Sequence, residues 1–185
     1  CLPVAATLTM RTEPVIGRAT GPSKGANVSD IEERLDRIGS ELEIRKLTAE
    51  YCHGADKRDL DRFLAVWAPS ATWSLGEDSV YEGRAAIARV VQAQWRTFPQ
   101  YVHWTSNHSI WVDRDQARGE IDVSVVVRLP SGRWVRTAGT YIDQYQRIDG
   151  TWLIVRRDAS TRFDIDPRPD PGETRLRFDG KEDRS

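Results

Sequence analysis

The sequence predicts a single α+β domain, in which three N-terminal helices lie against one face of a curved, mainly antiparallel sheet. Two features of the chain carry this reading. Apolar residues recur at helical spacing as far as about Thr97, and from Tyr101 the period falls to two, with β-branched and aromatic residues dominating four successive segments. Helices first and a strand meander afterwards place the fold in the α+β class. A length of 185 residues suits one substantial core and is short for two.

Residues 1–28 are rich in Gly, Pro, Thr and Ser without hydrophobic period and read as a flexible arm, so the ordered domain is expected over 29–164. Ser29 and Glu32 have the spacing of a capping box, in which each side chain satisfies a free backbone N–H at a helix start. Ile31, Leu35, Ile38 and Leu42 follow, and Ile44, Leu47 and Tyr51 extend the apolar face to about Ala55, past a candidate break at Gly39-Ser40. Asp59 caps a second, short helix carrying Leu60, Phe63, Leu64 and Trp67, which Pro69 stops. A brief strand is expected over 71–75. Gly83 precedes the third helix, Arg84 to Thr97, with Ile87, Val90, Val91 and Trp95 inward.

Four long strands are expected at 101–113, 119–129, 133–147 and 151–163. Their turns fall at 113–118, 130–132 and 149–150. Asp149-Gly150 is a hairpin signal, because this pair accepts the positive φ angles of a type I′ turn. The proline-rich run from Asp166 to Gly172 ends regular structure, and residues 165–185 read as a mobile polar tail.

Composition excludes several function classes. A net charge of −1 with acids and bases interspersed gives no long-range attraction for nucleic-acid phosphates. Apolar runs are too short to span a bilayer, and the opening Cys1–Ala6 stretch lacks the basic start and length of a signal peptide, so the expected location is the cytoplasm. Cys1 and Cys52 are the only cysteines, too few for a disulfide framework or a zinc ligand set. A small molecule is the expected partner.

Chemistry-bearing residues are few. Alternation puts Tyr101, His103 and Thr105 on one face of the first long strand and Val102, Trp104 and Ser106 on the other. His103 gains meaning from Asp56, an acid close to the apolar face of the first helix. Turned inward, Asp56 requires a hydrogen-bond donor, and an imidazole N–H suits it. Such a carboxylate fixes one tautomer and leaves the other ring nitrogen free to accept a proton. His53 lies three residues before Asp56 and is a candidate for the same pocket, whereas His108, five positions from His103, belongs on the opposite strand face unless a bulge intervenes. The three histidines do not converge, so no metal site is expected. Phe63, Trp73, Val123 and Val125 are the expected apolar wall.

The stretch Gly54-Ala55-Asp56-Lys57-Arg58 through Arg62, Leu64, Trp67 and Ala71-Thr72-Trp73 resembles the SnoaL-like, NTF2-like enzymes, lindane dehydrochlorinases in particular. His103-Trp104-Thr105-Ser106-Asn107 and the segment from Tyr141 to Trp152 look like them too. The resemblance implies a cone-shaped, cystatin-like α+β barrel around an interior pocket. It also implies an Asp56–His103 catalytic dyad, Arg157 assisting the leaving group and Trp73 in the pocket. Of the Arg156-Arg157 pair, alternation sends only one inward. Tyr51 stands five residues before Asp56, where the dehydrochlorinases carry lysine or glutamine, and looks more like the bile-acid and scytalone dehydratases. A phenol there donates to a carbonyl or enolate.

The implied chemistry is a cofactor-free β-elimination on a hydrophobic cyclic molecule, with loss of water favoured over loss of chloride. The resemblance further implies a homotrimer or homodimer formed through the open sheet face. Two other readings stand beside it: a noncatalytic small-molecule-binding or assembly subunit on the same cone, and a ketosteroid-isomerase-like or polyketide-cyclase-like enzyme that uses an acid as base.

Overall fold

The computed structural model describes residues 27–76 and 79–165, with side chains described as far as Ser160. The expected arm and tail lie outside these residues except at Asn27, Val28 and Ile165. Helix α1 (Val28–Lys57) leads into α2 (Leu60–Ala65), strands β1 (Trp67–Ser74) and β2 (Val80–Glu82), and helix α3 (Gly83–Thr97). Four long strands follow, β3 (Gln100–Asp113), β4 (Gln116–Arg128), β5 (Trp134–Ile148) and β6 (Thr151–Ile165). Together with β1 and β2 they form one six-stranded sheet in the order β2-β1-β6-β5-β4-β3, antiparallel except where β1 runs parallel to β6. The helices pack on one face of it, as the α+β reading predicts.

Helix α1 begins one residue before the expected cap. Asn27 occupies the N-cap position and its side chain makes no capping hydrogen bond, so Ser29 and Glu32 do not form the expected box. The helix runs unbroken through Gly39-Ser40, and its two apolar stripes face opposite ways. Ile44, Tyr51, Cys52 and Ala55 are buried, while Ile31, Leu35, Ile38 and Leu42 are exposed. The step from Leu42 to Ile44 explains this, because two residues turn the helix by about 200°. The sequence reading merged the two stripes into one.

Arg58, with φ 57°, closes α1 in the left-handed conformation, and Asp59 caps α2 by accepting from the Arg62 N–H at 3.0 Å. Gly54 lets α2 approach α1 closely: a Cβ there would lie 2.5 Å from the Phe63 backbone nitrogen. Trp67 belongs to β1 rather than α2, and Pro69 sits inside β1 where its register against β6 shifts. A missing N–H is tolerated at such an irregularity.

The core beneath the helices is largely aromatic. Tyr51, Phe63, Trp67 and Trp73 pack with ring centroids 5.0–6.2 Å apart, in tilted and edge-on geometries. Fully burying one large apolar side chain is worth roughly 1.5–3 kcal/mol, so this cluster anchors the helical layer to β1. At the far end of the sheet, Asp149 (φ 49°) and Gly150 (φ 77°) make the tight turn between β5 and β6. No helix among the described residues is long and apolar enough to cross a membrane.

Candidate active site

Asp56 lies in the last turn of α1, and His103 lies near the start of the edge strand β3. The two carboxylate oxygens divide their work: Oδ1 is 2.5 Å from His103 Nδ1, and Oδ2 accepts the His103 backbone N–H at 3.0 Å. One residue is thus held through both ring and main chain, which fixes the imidazole's position and orientation. The two side chains are 14% and 12% exposed, so water competes little for these bonds. With Nδ1 engaged by an acceptor, Nε2 is the nitrogen left to meet a bound molecule.

Neighbouring elements lock this geometry. Trp95 Nε1 donates to the Ala55 carbonyl at 2.8 Å, tying α3 to the turn that carries Asp56. Arg58 Nη2 donates to the carbonyls of Phe98 and Pro99 at 3.1 and 2.8 Å, tying the α3–β3 connection to the end of α1. The carboxylate and the imidazole, 47 positions apart in sequence, therefore meet where three elements are fastened together.

His103 lines a cavity of about 210 Å³ bordered by α1, α3 and the inner face of the sheet. Trp73, Val123 and Val125 contribute to its wall, as does Tyr51 from α1's inward stripe. Phe98, Tyr101 and Tyr141 complete much of the lining. The wall is apolar with hydroxyl groups set into it, which suits a hydrophobic molecule bearing a few polar groups. The Tyr51 and Tyr101 rings meet His103 edge-on, with centroids 6.1 and 5.4 Å away.

Burial pushes the Tyr51 phenol up to about 12, the nearby Arg157 charge offsetting part of the effect. Burial likewise raises Tyr101 and raises Tyr141 strongly. All three remain protonated near neutral pH, and so are available as donors. The Tyr101 hydroxyl is buried and makes no hydrogen bond within the protein; the nearby Trp95 indole N–H is directed to Ala55 instead. Trp73 Nε1 on the same wall is also buried without a partner.

Three expected site residues sit elsewhere. Arg157 is fully buried behind the cavity rather than on its wall, bonded to Asp143 through Nε–Oδ1 (2.8 Å) and Nη2–Oδ2 (2.6 Å). Its guanidinium lies between the Tyr51 and Tyr141 rings, 4.3 and 4.2 Å from their centroids. Burial works against the charge, but Asp143 outweighs it and holds the guanidinium protonated. Any influence on a bound molecule passes through those two phenols. Phe63 is buried in the layer behind Tyr51 and Trp73, away from the cavity. His53 is exposed on the outer side of α1, because it stands two residues, about 200° of helix, from each of the buried Tyr51 and Ala55.

A bulge in β3, marked by Asn107 at φ 51° and a register shift between Ser106 and Ser109, turns His108 toward the protein. Burial, then the Arg45 charge, lowers its pKa. Alternation without a bulge gives the opposite face. Among the described residues no group of His, Cys, Asp or Glu side chains is arranged to hold a metal ion.

A curved six-stranded sheet with helices on one face, and an acid-oriented histidine beside a cavity between them, defines an NTF2-like α+β fold. The chain belongs to the SnoaL-like domain family, whose model matches residues 36–158. It is 28% identical over 132 residues to γ-hexachlorocyclohexane dehydrochlorinase of Sphingobium indicum, covering 70% of this chain and 85% of that enzyme. The crystal structure of LinA superposes with a TM-score of 0.69 at 26% identity, over 76% of this chain and 95% of that one. A Novosphingobium aromaticivorans structure assigned as a scytalone dehydratase superposes with a TM-score of 0.66 at 20% identity, over 78% and 99% of the two chains. The chain is thus homologous to a lyase built on this fold.

Proposed function

We propose that the protein is a cofactor-independent lyase that removes water from a hydrophobic, oxygen-bearing cyclic molecule, with His103 as general base. The observation that carries this reading is the Asp56–His103 contact of 2.5 Å beside an apolar cavity. A pure binding module gains nothing from burying a carboxylate against an imidazole, since burial of polar groups is costly. In the proposed step His103 Nε2 takes a proton from carbon. The C–H electron pair becomes the new C=C bond as the C–O bond on the neighbouring carbon breaks, and the departing hydroxide takes the proton held on His103 Nε2, leaving as water and returning the imidazole to its neutral form. The elimination is redox-neutral and involves no electron carrier.

The choice of water over chloride rests on the lining. Tyr51 and Tyr141 stand between Arg157 and the cavity, so hydrogen-bond donors rather than a bare cation face the substrate. The Tyr101 hydroxyl and Trp73 Nε1 lack protein partners, and an unmet buried donor costs about 1–3 kcal/mol. A ligand oxygen that draws these side chains toward the cavity satisfies the donors, which a polyhalogenated hydrocarbon cannot do. The dehydrochlorinase relative supports the elimination, and the neighbour assigned as a dehydratase supports the leaving group.

The test is a screen of hydroxylated and halogenated cyclic compounds for formation of a conjugated alkene, run beside His103→Ala. Turnover of a hydroxylated substrate that vanishes in the variant, with unchanged circular dichroism, is the expected result. Turnover that survives His103→Ala ends the assignment.

A further inference from the structure

The exposed stripe of α1 has a regular spacing that the fold of the domain does not require. Val28, Ile31, Leu35, Ile38 and Leu42 follow one another at intervals of three, four, three and four, and all are exposed. This is the a/d pattern of a coiled-coil seam. The opposite side of the same helix is fastened to the domain: Arg147 grips both Asp36 oxygens at 2.8 Å and reaches Ser40 Oγ at 2.9 Å, and Ile44 and Tyr51 are buried. The stripe is therefore held outward on a rigid helix, over a length of roughly 21 Å at 1.5 Å per residue.

We propose that this stripe is the contact surface for a second copy of the chain, with the two α1 helices packed antiparallel about a two-fold axis between Leu35 and Ile38. A heptad seam is self-complementary, so a second copy supplies the matching surface by symmetry. Charge selects the orientation. Arg34 and Glu41, one heptad apart, flank the stripe on the same side. Antiparallel helices bring like flanks together, so with Leu35 opposite Ile38 of the other copy, Arg34 lies opposite Glu41, twice over. A parallel pair would set Arg34 against Gly39. Among the described residues Arg34 makes no side-chain hydrogen bond or ion pair to compete, and Glu41 holds an exposed i,i+4 pair with Arg45. The proposal concerns assembly and does not depend on the elimination chemistry.

The experiment uses the full chain, with mass measured by sedimentation and light scattering across a concentration series. Leu35→Glu/Ile38→Glu is expected to halve the mass of the assembly, whatever other contacts it contains, with an unchanged circular dichroism spectrum, since both sites are exposed within one copy. Arg34→Glu alone and Glu41→Arg alone are expected to weaken association at least several-fold, and the two together to restore it. An unchanged mass in the Leu35→Glu/Ile38→Glu chain overturns the proposal. Failure of the charge swap to restore association overturns the antiparallel register.

Discussion

Asp56 binds His103 twice, through the imidazole Nδ1 at 2.5 Å and through the backbone N–H at 3.0 Å. The second bond sets the carboxylate by a group that cannot rotate away, so the ring is oriented from a fixed point. Asp56→Asn keeps the size of the side chain but presents an amide, which can donate as well as accept and no longer demands an N–H at Nδ1. The expected result is a loss of about 10²–10⁴-fold in kcat with little change in KM. A rise in KM alone, with kcat intact, would show that Asp56 serves only binding.

The buried phenols give a sign-definite pH dependence. Burial holds Tyr51 at about 12, and raises Tyr101, Tyr141 and Tyr145, above the ordinary phenol value near 10. The folded state thus favours the protonated form. Its contribution to stability is complete below the unfolded-state value of about 10 and is lost as pH rises through the folded-state value. Denaturant midpoints should be flat through pH 9 in this respect and fall steeply from about pH 10 to 12. Phenolate absorbance should show these groups ionising together with unfolding, while the Tyr51→Phe protein retains more of its stability in that window.

Much of the site was legible because its parts lie on strongly periodic elements. Period two in β3 places Tyr101 and His103 on one face, and that face is the cavity wall. The same logic applied to β5 puts Tyr141, Asp143 and Tyr145 inward, an acid between two aromatics, opposite Arg157 in the β5–β6 register. The sequence thus offers Arg157 a buried acid as partner behind the cavity, whereas the family resemblance implies a role at the leaving group. The β3 bulge at Asn107 was not legible, because one extra residue leaves no mark on composition but reverses the face of His108. Helix α1 was misread for a different reason. Hydrophobic spacing reports that a stripe exists, not what covers it, and the exposed Ile31–Leu42 stripe looks like core until the helix is set against the sheet.

The Asp143–Arg157 pair is fully buried and joined by two hydrogen bonds, with Tyr145 Oη adding a third to Asp143 at 2.6 Å. Removing one partner strands the other charge without water. Asp143→Ala and Arg157→Met are each expected to destabilise by about 3–5 kcal/mol, read from urea midpoints. The paired replacement Asp143→Leu/Arg157→Met leaves no stranded charge and should recover most of that loss. If it refolds, its activity measures what Arg157 contributes through Tyr51 and Tyr141.

Gly54 tests whether the helical layer positions the dyad. An added Cβ would fall 2.5 Å from the nitrogen, 2.6 Å from the Cα and 2.8 Å from the Cβ of Phe63, and the first two of these are backbone atoms that no rotamer change removes. Gly54→Ala therefore forces α2 away from α1, although alanine is the better helix former by about 1 kcal/mol. Overpacking costs of roughly 1–3 kcal/mol outweigh that gain, so a net loss of stability is expected. The displacement starts two residues before Asp56 and three after Tyr51, at the level of the Trp95–Ala55 bond that holds α3 to α1. Activity should fall more than the population of folded protein, because a shift of a few tenths of an ångström at Ala55 is carried to the carboxylate and hence to the imidazole. A Gly54→Ala protein of unchanged stability and activity would mean that α2 yields freely and that the dyad is set by β3 alone.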